Sequence, residues 1–317
     1  MIQHRSFVGI DVSKNRFDVY LHPSSEALAV ANEGRALAAL VRRLRQMKPV
    51  AIGLEASGGY EKALAGRLHA AGFAVYVVGP AQVRAFARAM KRHAKTDPID
   101  AAMIARYLEA ALDRLVAYAP DPQGERLREL IAHRRRLVAE RSALKGQLDT
   151  IAEPTVRCMI AERLAGLARD ILTLDRAVRR TVAANEVMNR RFVLLGKVMG
   201  VGPVLASTLI ADLPELGRIS AKRIASLVGV APHARQSGRS DRRGRCIGGR
   251  RQIRDVLYMA ALSAIKAKAP QLEPFYRRLR QNGKTFKVAI TAVMRKFITI
   301  LNAIVRDSID DQKQIAA

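Results

Sequence analysis

The chain has 317 residues, nearly half of them hydrophobic, and carries 55 Lys/Arg against 28 Asp/Glu, a formal net charge of +27. That length suits two domains and a connector, and that charge favours a polyanionic partner, of which nucleic acid is the simplest and an anionic membrane surface the competitor. Cys158 and Cys246 match no disulfide or zinc spacing, the N-terminus lacks a signal-peptide core, and the most apolar run, Val288 to Val305, is interrupted by Arg295 and Lys296, so a soluble, cytosolic protein is expected.

The charge is uneven. Residues 1–118 hold 17 Lys/Arg and 10 Asp/Glu, whereas the remaining 199 hold 38 and 18. Most of the positive surface therefore follows a modestly charged first domain, expected over 1–120. Within it, Phe7–Val12 is a β-prone run ending near Asp11, Arg16–Leu21 alternates as a half-buried strand does, and a third strand lies near Leu28–Val30. Gly34–Met47 is helical, with Leu37, Leu40, Val41 and Leu44 on one face. Val50–Leu54 is a buried strand running into Glu55; a helix over Glu61–Ala71, a strand over Phe73–Val78 and a helix from Ala81 to about Met90 follow. The order predicts a mixed α/β sheet flanked by helices, with active groups at strand ends.

Lys95-Thr96-Asp97-Pro98-Ile99-Asp100 opens a further helix, reaching about Leu112. Pro98 suits the first helical position, which makes Asp97 the N-cap and puts Asp100 on the same face, beside Arg92, His93 and Lys95. Capping and dipole complementation would explain both acids, a strand-end turn would explain Asp11, and a cap would explain Glu55. Together, Asp11, Glu55, Asp97 and Asp100 offer hard oxygen ligands with no His or Cys among them, a set that suits Mg²⁺ or Mn²⁺ and phosphodiester chemistry.

Three blocks, Val8-Gly9-Ile10-Asp11-Val12-Ser13-Lys14, Gly53-Leu54-Glu55-Ala56-Ser57-Gly58-Gly59-Tyr60 and Lys95-Thr96-Asp97-Pro98-Ile99-Asp100-Ala101, resemble in order and spacing those of the DEDD insertion-sequence transposases, the IS-one-ten family. The resemblance implies a RuvC-like, ribonuclease-H-type domain with a Mg²⁺-dependent site made by Asp11, Glu55, Asp97 and Asp100.

Pro120, Pro122 and Gly124 mark a boundary. Leu130, Leu137, Leu144 and Ile151 then recur every seventh residue, Glu153-Pro154 interrupts, and Ile160, Leu164, Leu167, Ile171, Leu174 and Val178 continue the heptad seam. Residues 121–187 are read as a coiled-coil helical hairpin that pairs with itself or with other subunits; His133–Arg136 is either a solvated face or an RNA-contacting patch.

Residues 188–317 form the expected C-terminal, mostly helical domain. Val198–Pro203, with its glycines, leads into a helix near Val204–Ile210, and a second helix, Ala221–Val228, ends at Gly229, an arrangement similar to a helix-hairpin-helix whose N–H groups meet phosphates. From Arg235 to Arg254 stand eight arginines, Arg235, Arg239, Arg242, Arg243, Arg245, Arg250, Arg251 and Arg254, against Asp241 alone, with four glycines, which reads as a phosphate-binding loop. Gly248-Gly249 opens a helix running to Lys268, with Arg251, Arg254 and Tyr258 on one face and Ile253, Leu257 and Ile265 on the buried one. Ser237 would by itself be one more turn residue. The pattern Gly-Val-Ala-Pro…Ser-Gly…Gly-Gly-Arg-Arg-Gln-Ile-Arg…Leu-Tyr-Met-Ala resembles the C-terminal domain of the same transposases, which implies that Ser237 is the nucleophile. The family further implies donor and target DNA, a structured guide RNA from the element, a nucleoid-associated cytoplasmic setting, and a tetramer in which one subunit's serine meets another's metal site. A junction-resolving endonuclease using water, and a non-catalytic RNA-binding scaffold, stand as alternatives.

Overall fold

In the computed structural model, residues 5–90, 97–237 and 240–315 are described. The chain divides into two compact units, 1–120 and 121–317.

The first unit is built on β1 (Phe7–Val12), β2 (Arg16–His22), β3 (Glu26–Ala31), α1 (Gly34–Met47), β4 (Ala51–Glu55), α2 (Glu61–Ala70), β5 (Val75–Val78), α3 (Pro80–Ala89) and α4 (Asp97–Ala111). Ser13 closes the first turn: its hydroxyl donates to Arg16 O (2.7 Å) and accepts from Arg16 N–H (3.2 Å). β1, β2 and β3 form an antiparallel meander, and β4 and β5 are added parallel to β1 through α1 and α2, giving the sheet order β3-β2-β1-β4-β5. This is the expected mixed sheet. Alternation sorts β1 between two cores: Val8, Ile10 and Val12 pack with Leu37, Leu40, Leu44 and Leu64, whereas Phe7 packs with Val83, Met103, Ile104 and Leu108. The fifth strand begins two residues later than its apolar run suggests, because Phe73 N–H donates to Leu68 O and closes α2.

The second unit opens with two long helices, α5 (Pro122–Leu148) and α6 (Pro154–Ala183), each started by a proline and an acidic cap: Asp121 accepts from Gly124 N–H and Glu153 from Thr155 N–H. The heptad seam is used inside this hairpin, where Ile160, Leu167, Ile171 and Val178 are buried and Leu174 half-buried. Arg134–Asp175 (2.6 Å) and Arg163–Glu140 (2.7 Å) join the two helices along the rim. The chain continues through α7 (Glu186–Gly196), α8 (Pro203–Asp212), α9 (Ala221–Val228), β6 (Pro232–Ser237), β7 (Ser240–Cys246), α10 (Arg251–Lys266), α11 (Glu273–Gln281) and α12 (Phe286–Ile315). Over Phe286–Ile309, α12 is long and apolar enough to span a bilayer, despite Arg295 and Lys296. Here it is a core helix: Val293, Phe297, Ile298 and Leu301 are buried in the cluster built by α7 to α10. Lys296 reaches back to Gln271 O (2.7 Å) over the Phe275 ring.

Candidate active site

The first part of the site follows from strand register. Ile10 of β1 pairs with Leu54 of the parallel β4, so the next residue on each strand is an acid, Asp11 or Glu55. Alternation gives Phe7, Gly9 and Asp11 one face of β1, and Ala51, Gly53 and Glu55 the same face of β4. Phe7 and Ala51 pack with Met103, Ile104 and Leu108 of α4, so α4 covers this face. Two missing side chains let it lie close: a Cβ on Gly9 would fall 2.1 Å from Ala101 O, and one on Gly53 2.7 Å from Leu108 Cδ1. Ala101 lies against Gly9, and two turns further along the helix Glu109 reaches His22 (3.0 Å), the partner of Phe7 at the amino end of β1, so the start of α4, with Asp97 and Asp100, lies toward the carboxyl end of β1, where Asp11 stands. Asp11, Glu55 and Asp100 are partly exposed. Asp97 belongs to the helix, but its side chain is outside the described residues, as are Arg92, His93 and Lys95 entirely. Among the described residues no three His, Cys, Asp or Glu side chains gather closely enough to hold a metal. The donor chemistry itself, carboxylate oxygens alone, fits Mg²⁺ or Mn²⁺.

One acid escaped the sequence reading. Asp18 is the antiparallel partner of Asp11 and therefore lies on the same face. It is buried, and Arg16 holds both its oxygens, Nε to Oδ2 at 3.1 Å and Nη2 to Oδ1 at 3.0 Å. The signal was available: a turn centred on Lys14 and Asn15 puts residues 11 and 18 opposite each other.

In the second unit, the arginine-rich stretch expected to be a loop is paired as strands. Pro232–Ser237 and Ser240–Cys246 pair as antiparallel strands, with Arg235 opposite Arg242, Gln236 opposite Asp241 and Ser237 opposite Ser240. Ser237 is the last residue of β6. Its side chain and those of Arg235, Arg242 and Arg243 are outside the described residues, and so is Arg239 as a whole. Arg245 and Arg251 are exposed. Arg250 and Arg254 have partners within the protein. Arg250 donates from Nη1 to Asp212 O (2.8 Å) and Glu215 Oε2 (2.7 Å) and from Nη2 to Glu215 Oε1 (2.7 Å). Arg254 Nη1 donates to Gly248 O at 2.7 Å. Burial pushes Glu215 up, but the Arg250 hydrogen bonds and charge more than offset it, leaving its carboxyl below the ordinary glutamate value. Burial raises the neighbouring Asp212 carboxyl against the pull of Arg135, Arg128 and Arg250.

Elsewhere in the same unit, Gly202 is the N-cap of α8, with Pro203 at its first position, and Gly200 adopts φ +94° against Ala264. In the basic run 133–136, Arg134 is tied to Asp175 and Arg135 lies 4.0 Å from Asp212, so this patch is partly neutralised by its own chain.

The first unit is a five-stranded mixed sheet with Asp11 and Glu55 on adjacent inner strands, crossed by a helix that starts with two more acids, the α/β architecture expected from the sequence. Residues 8–154 match the DEDD transposase family model of the IS110 type, and residues 193–277 match the model described as transposase, IS116/IS110/IS902 family. The chain belongs to this family of insertion-sequence transposases and recombinases. It is 27% identical to a pilin gene-inverting protein of Moraxella bovis over 98% of this chain and 99% of that one. It is 25% identical to an uncharacterized 44.8 kDa protein of insertion element IS116 from Streptomyces clavuligerus, over 96% and 95%. A solved T. thermophilus RuvC, in complex with a Holliday junction substrate, aligns with 36% of this chain and all of its own at 17% identity and a TM-score of 0.29.

Proposed function

We propose that this transposase cuts and rejoins DNA by transesterification through Ser237, at a divalent-metal site held by Asp11, Glu55, Asp97 and Asp100, under guidance of a structured RNA. The observation that carries the reading is that Asp11 and Glu55 each follow the Ile10–Leu54 pair, side by side on the face that α4 crosses. A divalent ion, when bound there, would acidify the attacking hydroxyl and neutralise charge on the phosphate. The serine oxygen forms a bond to phosphorus as the bond to the leaving sugar oxygen breaks. Arginines cannot take the serine proton, because they stay charged. Their part, for Arg235, Arg239, Arg242, Arg243, Arg245 and Arg251, is to bind the phosphate backbone of DNA and RNA. Donor DNA, target DNA, guide RNA and a tetramer of the chain complete the reading.

The test is a denaturing gel that traps protein joined to DNA. Wild-type protein with Mg²⁺ forms an adduct; Ser237→Ala, Asp11→Asn and Glu55→Gln do not, while each still binds nucleic acid. Mixing Ser237→Ala with Asp11→Asn restores adduct if serine and metal come from different subunits. Cleavage without adduct would favour metal-activated water as the nucleophile, and Mg²⁺-independent binding with no strand transfer would favour a scaffold.

A further inference from the structure

The hairpin that ends in Ser237 is polar and arginine-rich, with no apolar stripe of its own in sequence. Its direction must be set where it leaves the body. There the two ends of the hairpin are pinched together, backbone on backbone. Gly229, Gly248 and Gly249 all adopt left-handed φ, between +72° and +79°. A Cβ on Gly249 would sit 2.3 Å from Gly229 N, and one on Gly229 would sit 2.4 Å from Gly248 O. Arg250 N–H then donates to Leu227 O at 2.9 Å, tying the outgoing chain to α9.

Two arginine side chains lock this joint from opposite sides. Arg254, one turn into α10, donates to Gly248 O at 2.7 Å and reaches Gly229 O at 3.5 Å, so a single guanidinium spans both legs of the hairpin. Arg250 forks onto Glu215 and caps Asp212 O, which binds the outgoing leg to the segment between α8 and α9. The planar fork of Arg250 matches the Glu215 carboxylate with two parallel bonds, which an ammonium would not reproduce, whereas Arg254 serves both carbonyls from one nitrogen, Nη1.

Resting on the reading of Ser237 as nucleophile, we infer that Arg250 and Arg254 are positioning residues that aim the serine hairpin, and do not bind nucleic acid. Within the basic stretch 235–254 they contrast with Arg245 and Arg251, which are exposed at its surface, Arg251 beside Asp255 of its own helix at 3.6 Å.

The experiment uses full-length protein in two assays. In the first, binding to a duplex of random sequence is measured over a salt series. Each lost phosphate contact lowers the slope of log K against log salt by about 0.9. Arg254→Ala and Arg250→Ala should keep the wild-type slope, whereas Arg251→Ala and Arg245→Ala should each reduce it by about one. In the second, the rate of adduct formation is measured with saturating DNA carrying the element's own ends and the RNA that copurifies with the protein. Arg254→Ala should slow it tenfold or more, and Arg254→Lys, which keeps one donor for Gly248 O, should recover most of the loss. Glu215→Gln, which keeps shape while weakening the fork, should slow it with no change in slope, and guards against misfolding of Arg250→Ala. A slope reduced in Arg254→Ala and Arg250→Ala, or adduct rates equal to wild type in Arg254→Ala and Glu215→Gln, would overturn the inference. Adduct formation by Ser237→Ala would instead overturn the serine reading, leaving the salt-slope result to stand by itself.

Discussion

Gly9 and Gly53 show how much a missing side chain can settle. A methyl group on Gly9 would overlap Ala101 O and Ala105 N, and both partners are backbone, so α4 would have to move. Overpacking of this kind costs about 1–3 kcal/mol. Gly9→Ala should lower the unfolding temperature of the first unit and reduce strand transfer by tenfold or more, measured by thermal melting and the adduct assay, because the start of α4 shifts relative to Asp11. Glu215 makes a second residue-scale prediction. Its carboxyl titrates below the ordinary value, so the stability that it adds is complete above that value and is lost as pH falls through the folded pKa. Amide protection, taken relative to the intrinsic exchange rate, should therefore fall at the base of the serine hairpin on acidification below the ordinary glutamate range, and Glu215→Gln should flatten that dependence. Asp212 has the opposite sign: raised by burial, it favours the fold when protonated and opposes it as pH climbs through the folded value.

At the scale of elements, period is what the sequence displays well. β1, β2 and β4 announce themselves by alternation or by a buried apolar run, α1 by its apolar stripe, and α4 by the Asp-Pro start. β6 and β7 do not, since Pro232–Ser237 and Ser240–Cys246 hold almost no apolar residues and are paired strands without an amphipathic pattern. Asp11 and Glu55 were legible because they end apolar strands; Asp18 was hidden because a polar residue on an alternating strand reads as solvent-facing. Arg250 and Arg254 looked like their neighbours, and only the fold reveals Glu215 and Gly248 as their partners. The heptads were legible too, but not their partner. Leu167 and Ile171 are buried within α5 and α6 of one chain, so Leu167→Ala should cost roughly 2–5 kcal/mol of stability in denaturant titration. The proposed tetramer is better probed at Leu172 and Met159, apolar side chains that remain exposed on α6. Their replacement by Ser should lower the mass seen by light scattering without lowering the unfolding temperature.

Across the whole molecule, charge was the first thing the sequence disclosed and remains the broadest lever. A net +27 over 317 residues means that nucleic-acid affinity should fall by roughly tenfold or more between low and physiological salt. A filter-binding series checks this; an affinity indifferent to salt would point to recognition by base or shape alone. Charge also differs between the units, since the excess of basic residues after position 120 is nearly three times that before it. Neutralising Arg245 and Arg251 should thus weaken binding more than neutralising Arg35 and Arg42 of α1.

The pinched joint at Gly229 and Gly249 makes the serine hairpin a lever arm with a fixed fulcrum. On such an arm, distance is counted in residues, each advancing the tip by about 3.3 Å. Lengthening both legs by one Ser-Thr pair would carry Ser237 outward by roughly 7 Å, the rise of two strand residues. The core would be untouched and the melting curve unchanged, yet on the proposed mechanism the serine would overshoot its phosphate. Reach, in this protein, is then a matter of chain length, and the hairpin is its ruler.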